Sequence, residues 1–254
     1  MPAARVIARL DVKGPNLVKG IHLEGLRVIG DPRAYAGRYY AEGADEILYV
    51  DIVASLYGRN SILDVVRRTA SDIFVPMTVA GGLRSLADVR EALRSGADKV
   101  AINTAAVGRP ELIREVSEAF GSQCMVLELQ TKKIGPDRWE AYTDNGREKT
   151  GLDALEWAER AVELGAGELL VTSVDREGTQ KGMDLEFLRR FVPRVAVPVI
   201  ACGGVGTPEH ARDAIAEVGV DAVAVASVLH YGKCTIGDIK ARLAMADVPV
   251  RASA

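Results

Sequence analysis

Residues 75–82, V-P-M-T-V-A-G-G, return as V-P-V-I-A-C-G-G at 197–204. The same offset carries Gly43-Ala44 onto Gly165-Ala166 and Glu46 onto Glu168. One added residue later, Gly96, Asp98 and Thr104 fall on Gly219, Asp221 and Ser227. A repeat this long means two similar half-structures, expected over 1–121 and 122–245 of a single domain spanning 1–254. Each half brings a Gly-Gly turn and a small hydroxyl-bearing turn. Both turns suit a phosphate, so the ligand expected is one that carries two.

Short runs rich in Val, Ile and Leu alternate with amphipathic segments, which argues for βα units and a parallel sheet. The expected strands are 5–11, 46–52, 75–80, 99–103, 124–130, 168–174, 197–202 and 221–226, with helical patterns between them such as 86–94 and 208–217. Eight units in 254 residues suit a closed (β/α)8 TIM barrel better than an open doubly wound sheet, which explains the two-fold repeat less well. Asp31-Pro32 and Thr207-Pro208 read as capped helix starts. Two long loops are expected, at 13–30 and 131–150. In the second, Trp139–Tyr142 followed by Asp144-Asn145-Gly146 reads as a small hairpin.

Composition narrows the function classes. The net charge of −3 offers no field for nucleic acid or an anionic membrane, so neither is an expected partner. The first residues lack a signal-peptide apolar block, and no run approaches a membrane span. The three cysteines are odd in number and scattered, with Cys124 and Cys202 inside expected buried strands. They fit reduced thiols in a cytoplasmic protein. His22, His210 and His230 have no second ligand at useful spacing, so neither a metal nor another cofactor is expected.

In such barrels the active site lies at the C-terminal ends of the strands. The polar residues there are Asp11, Asp51, Asn103, Gln130, Ser173, Asp175 and Ser227. Asp11 ends an apolar run before a flexible Lys13-Gly14 loop, where a carboxylate acts as general acid or base or simply bonds loop amides. The pairs Gly81-Gly82 and Gly203-Gly204 let backbone N–H groups approach an anion. Asn103-Thr104 and Ala226-Ser227 stand beside them. One such turn is weak evidence; two related by the chain's own repeat place two phosphate sites across one mouth. At the opposite rim, Arg5, Glu46, Lys99 and Glu168 each begin a strand. They form either a surface ion-pair network or a polar gate into the barrel.

Together these residues resemble the HisF family, the cyclase subunits of imidazole glycerol phosphate synthases. The similarity runs from R-V-I-A-R-L-D-V-K to A-S-V-L-H and includes G-A-D-K-V-A-I-N-T-A-A, G-A-G-E-L-L-V-T-S-V-D-R-E-G-T and G-G-V-G. It implies a histidine-biosynthesis enzyme in a heterodimer with a glutaminase (HisH-like) subunit. That enzyme would apply ammonia to a bis-phosphorylated ribulosyl aminoimidazole carboxamide, yielding imidazole glycerol phosphate and AICAR, an aminoimidazole carboxamide ribotide. By position, the resemblance makes Asp11 the first catalytic aspartate and Lys19 a loop lysine near the substrate. It makes Gly82, Asn103, Thr104, Gly178, Gly204, Ala226 and Ser227 phosphate contacts. Arg5, Glu46, Lys99 and Glu168 become the ammonia gate.

The chain departs from that pattern at Gln130, where the family has its second catalytic aspartate. An amide holds a hydrogen bond but exchanges no proton near neutral pH. A smaller departure is Glu177, usually aspartate. Arg9 and Glu128 lie one layer below Asp11 and Gln130, where barrels hold apolar side chains. Two readings follow: a buried Arg9–Glu128 ion pair across the axis, or Glu128 taking over the missing acid's work. Gln130, Arg9 and Glu128 also leave two other functions open. One is a HisF-like subunit passing ammonia to a different phosphorylated or sugar-nucleotide acceptor; the other is a non-catalytic phosphate-binding barrel.

Overall fold

The computed structural model describes residues 3–54 and 62–251. Strand β1 (Arg5–Lys13) runs into a hairpin of β2 (Asn16–Ile21) and β3 (Glu24–Gly30), then helix α1 (Pro32–Ala41) and β4 (Glu46–Asp51). There follow α2 (Leu63–Ala70), β5 (Met77–Ala80), α3 (Leu86–Arg94), β6 (Lys99–Ile102), α4 (Thr104–Gly108) and α5 (Glu111–Phe120). Strands β7 (Met125–Gly135), β8 (Arg138–Thr143) and β9 (Glu148–Asp153) form a meander before α6 (Ala154–Glu163) and β10 (Glu168–Ser173). The chain ends in α7 (Leu185–Phe191), β11 (Val199–Cys202), α8 (Pro208–Arg212), β12 (Ala222–Val225), α9 (Ser227–His230) and α10 (Ile236–Ala244).

Parallel pairing runs β10-β11-β12-β1-β4-β5-β6-β7, and β7 pairs back onto β10. The ring therefore closes, as a (β/α)8 barrel. Closure leaves no free edge in the ring. Successive side chains of a strand face opposite ways, and β1 shows the consequence. Val6, Ala8 and Leu10 pack outward in the large core under the helices, while Ile7 joins Leu48, Val126, Leu170 and Ile200 inside the barrel. Arg5, Arg9 and Asp11 share the inward parity of Ile7, as Glu128 and Gln130 share that of Val126.

Local signals set most helix starts. Asp31 accepts a hydrogen bond from the Ala34 N–H at 2.8 Å with Pro32 at the first turn, as expected. Thr207 precedes Pro208 in the same way, but its hydroxyl makes no cap to the helix backbone. Helix α8 passes at Asp213 into a π-helical turn through Val218 instead of continuing regularly. Cys124 lies in a 3-10 turn just before β7, not within the strand.

The larger departure is at 13–30. This stretch is an antiparallel hairpin, not a loop, with β2 paired to β1 through Asp11↔Val18 and Val12↔Leu17. Its sparse apolar residues conceal the strands, since Leu17 and Val18 are buried but β3 is largely exposed. The hairpin after strand 124–130 forms as expected, with β8 and β9 joined at Asp144–Arg147. Among the described residues no helix is long and apolar enough to cross a membrane.

Candidate active site at the barrel mouth

The two glycine turns are built alike. Gly81 and Gly82 have φ of 90° and 75°, and Gly203 and Gly204 have 98° and 95°, a region nearly closed to residues with a Cβ. Space forbids a side chain as well. A Cβ on Gly81 would lie 2.2 Å from the Asp51 carbonyl oxygen, and one on Gly204 2.1 Å from that of Gly182. The neighbouring turns match too: Asn103 has φ −117° and ψ −85°, and Ala226 has φ −132° and ψ −81°. Strands β5–β6 and β11–β12 stand on opposite sides of the ring, so the two turns face each other across the mouth.

They differ in openness. Gly82, Asn103 and Thr104 line a cavity of about 300 Å³ together with Asp51, Glu128, Gln130 and Asn145. Gly178, Gly203, Gly204, Ala226 and Ser227 line one of only about 10 Å³. The loop after β10 closes the second: Gly182 donates its N–H to the Gly204 carbonyl at 2.8 Å. Asn103 donates from Nδ2 to the Tyr142 carbonyl at 3.0 Å, while its buried Oδ1 has no partner.

Asp11 sits between the turns near the C-terminal end of β1, buried between two cations. Arg9 Nε donates to Oδ1 at 2.8 Å and Lys19 Nζ to Oδ2 at 2.7 Å; Lys19 also bonds Glu177. Burial alone would raise the Asp11 pKa, but the Arg9 and Lys19 charges outweigh it and hold the carboxyl well below the usual range. Lys19, on β2, is buried because the hairpin folds over the mouth. His22 donates its N–H to the Glu177 carbonyl and its ring meets the Val174 carbonyl, each at 2.8 Å. Asn145 reaches the Leu23 carbonyl at 3.3 Å. The extra methylene of Glu177 lets its carboxylate meet Lys19 while its backbone stays under the hairpin.

The expected Arg9–Glu128 ion pair does not form. Asp11 is two residues along the same face of β1, so Arg9 meets it without crossing the barrel. Nη1 of Arg9 then reaches Thr172 Oγ1 at 3.1 Å and Cys202 Sγ at 3.3 Å, and Nη2 is buried without a partner. Strand β7 lies diametrically opposite β1, beyond this reach. Glu128 instead accepts from Gln130 Nε2 at 3.3 Å, and burial raises its pKa against the partial pull of Arg9.

Two of the expected mouth residues point elsewhere. Ser173 has outward parity on β10 and contacts Asp184, the cap of α7, at 3.4 Å. Asp175 accepts from the Lys133 N–H at 2.9 Å on the outer side of the loop. Asn145 was legible only as a turn residue, and its place in the cavity depends on the long fold of the β8–β9 hairpin. His230 is buried against the Tyr39 hydroxyl at 2.6 Å and its pKa is lowered by burial to about 3.

At the other end of the barrel four charges close a ring. Arg5 bridges Glu46 at 3.2 Å and Glu168 at 2.5 Å, and Lys99 bridges the same two carboxylates at 2.7 Å each. None of the four side chains is more than 16% exposed, so the ring is a lid across the barrel floor, not a set of scattered surface pairs. Thr78 joins it by donating to Glu46 Oε1 at 2.7 Å. No sequence signal marked Thr78, which is the second residue of β5.

A closed (β/α)8 barrel with paired glycine turns at its mouth and an ion ring across its floor places this protein among the (β/α)8 barrels with a two-fold repeat. The chain belongs to the histidine biosynthesis protein family, whose model matches residues 5–235. It is 56% identical over 210 residues to the imidazole glycerol phosphate synthase subunit HisF of Legionella pneumophila, covering 83% of this chain and 99% of that protein. It is 49% identical over 251 residues to the subunit of the same name from Bacillus cereus strain Q1, covering 99% and 100%.

Proposed function

We propose that this chain is the cyclase subunit of an imidazole glycerol phosphate synthase. It takes ammonia from a glutaminase partner and converts a bis-phosphorylated ribulosyl aminoimidazole carboxamide to imidazole glycerol phosphate and the carboxamide ribotide. The observation that carries this reading is the pair of repeat-related anion turns facing each other over a buried carboxylate. Backbone N–H groups at Gly82, Thr104, Gly204 and Ser227, with Gly178 and Gly203 shaping the second turn, hold the two phosphates. The substrate thus lies stretched across Asp11 and the Glu128–Gln130 side.

Asp11, kept ionised by Arg9 and Lys19, acts here first as an acceptor and counter-charge for the nitrogen that becomes cationic as ammonia adds. To take up a proton it must exchange Lys19 for substrate, which makes the hairpin a lid that opens and closes on each turnover. The ring of Arg5, Glu46, Lys99 and Glu168 serves as the gate. The side chains just above it are apolar, with Ile7, Leu48, Val126, Leu170 and Ile200. Neutral ammonia crosses such a layer, whereas ammonium pays a large desolvation cost.

The test is turnover of the bis-phosphate by the isolated chain with an ammonium salt, followed by rescue of a histidine auxotroph lacking its cyclase. Turnover and rescue are expected. Gln130 favours one second reading, a related subunit that gives ammonia to another phosphorylated acceptor. Failure of the wild-type chain in both assays, with Gln130→Asp succeeding, would establish that reading.

A further inference from the structure

We propose that Glu128 is the proton donor of this site, supplying the acid that the amide at Gln130 lacks. This rests on the cyclase reading above. Glu128 lies on the inward face of β7 one layer beneath Gln130, and both border the open cavity that Gly82, Asn103 and Thr104 also line. Its side chain is almost wholly buried, and among the described residues no cation lies within ion-pair distance of it. The one hydrogen bond it makes comes from Gln130 Nε2 to Oε1. With Oε1 taken, Oε2 has no protein partner and is the oxygen free to carry a proton to a substrate atom.

The contrast with Asp11 assigns the roles. Both oxygens of Asp11 are already bonded by cations, which favours its ionised form, while burial without a cation favours the neutral form of Glu128. Two carboxyls whose surroundings separate them in this way are suited to opposite halves of proton transfer.

The step balances as follows. Ammonia adds to the substrate ketone to give a carbinolamine, and Glu128 then delivers its proton to the hydroxyl oxygen. The C–O bond breaks, water leaves, and the nitrogen lone pair forms the C=N bond of an iminium ion. The Glu128 carboxylate next takes one N–H proton from the iminium, which regenerates the acid and leaves the neutral imine for ring closure. Gln130 is a positioning residue in this scheme, since it holds the carboxyl through Oε1.

The experiment measures ammonium-driven turnover of the bis-phosphate across pH for the wild type, Glu128→Gln, Glu128→Asp and Gln130→Leu. Glu128→Gln is expected to lower kcat about 100-fold with KM changed less than about threefold, and Glu128→Asp to recover part of the loss. In the wild type kcat should fall on the alkaline side as Glu128 ionises. Gln130→Leu removes a hydrogen bond that lowers the pKa of Glu128, so it should move that limb to higher pH. A Glu128→Gln enzyme within about twofold of wild-type kcat overturns the proposal, as does an alkaline limb that neither Glu128→Gln nor Gln130→Leu alters. A wild-type chain without turnover overturns the cyclase reading, and Glu128's role with it; normal turnover by Glu128→Gln overturns only the latter.

Discussion

Strands β1 and β7 occupy corresponding places in the repeat, yet they fill the same two layers in opposite ways. On β1 the lower residue is a cation and the upper an anion, Arg9 and Asp11, joined to each other and to Lys19. On β7 the lower residue is an acid and the upper an amide, Glu128 and Gln130, with no cation attached. One side of the mouth is a closed ionic cluster and the other an open wall whose acid has no ion-pair partner. Backbone position decided that all four point inward. The ionic state was decided by which partners lie within one side-chain length: the β2–β3 hairpin gives β1 the cation Lys19, and the β8–β9 hairpin beside β7 gives Glu128 none.

Several substitutions should break or sharpen that contrast. Asp11→Asn removes the anion the cluster is built around and should reduce kcat with ammonium by about 10²–10⁴-fold; steady-state kinetics beside a circular dichroism spectrum checks this. Arg9→Met removes one buried partner. Because Asp11 keeps Lys19, the cost should fall near the low end of that for breaking a buried pair, about 3 kcal/mol, measured by urea unfolding. Milder damage than about 1 kcal/mol would show that the orphaned Nη2 had already cancelled most of the pair's benefit.

The open wall should respond with the opposite sign. The folded pKa of Glu128 lies above its unfolded value, so its neutral form favours folding below about pH 4.5 and that contribution is lost as pH rises through the folded value. Glu128→Gln has no carboxyl to ionise. Its Tm should therefore gain on the wild type by about 2 °C or more between pH 5 and pH 8, a stabilisation that accompanies lost activity. His230 is a control outside both layers. Its folded pKa of about 3 lies below the unfolded 6.5, so its contribution is complete above pH 6.5 and drains away as pH falls. His230→Gln should flatten the acid side of the Tm profile over that window. The smallest effect is expected at the floor: Lys99→Met should cost less than Arg9→Met, because Arg5 still bridges Glu46 and Glu168. Its consequence should be read in the ratio of glutamine-driven to ammonium-driven turnover.

Much of this was legible in the chain. Alternation marked every barrel strand within a few residues, because each strand pairs a core-facing and a barrel-facing row. The four residues of the ion ring were legible because each begins a strand, and a strand start in a closed barrel has one place to be. The Gly-Gly turns were legible because the repeat printed them twice. The hairpin at 13–30 was not, since its outer strand is exposed and its apolar pattern correspondingly weak. Arg9 was visible as an anomaly, but its partner was not. Choosing between Asp11 and Glu128 depends on side-chain length against barrel diameter.

Residue order by itself determined the two-fold architecture, the inward faces and the positions of the paired glycine turns, all of which follow from local periodicity and backbone sterics. Only the tertiary structure decided that one turn is open and its twin nearly filled, that Lys19 is drawn under the hairpin, and that Asp11 and Glu128 live in opposite electrostatic surroundings. Those outcomes depend on contacts between segments distant in the chain. Burial and charge act through distance in space, which no single stretch of residues encodes.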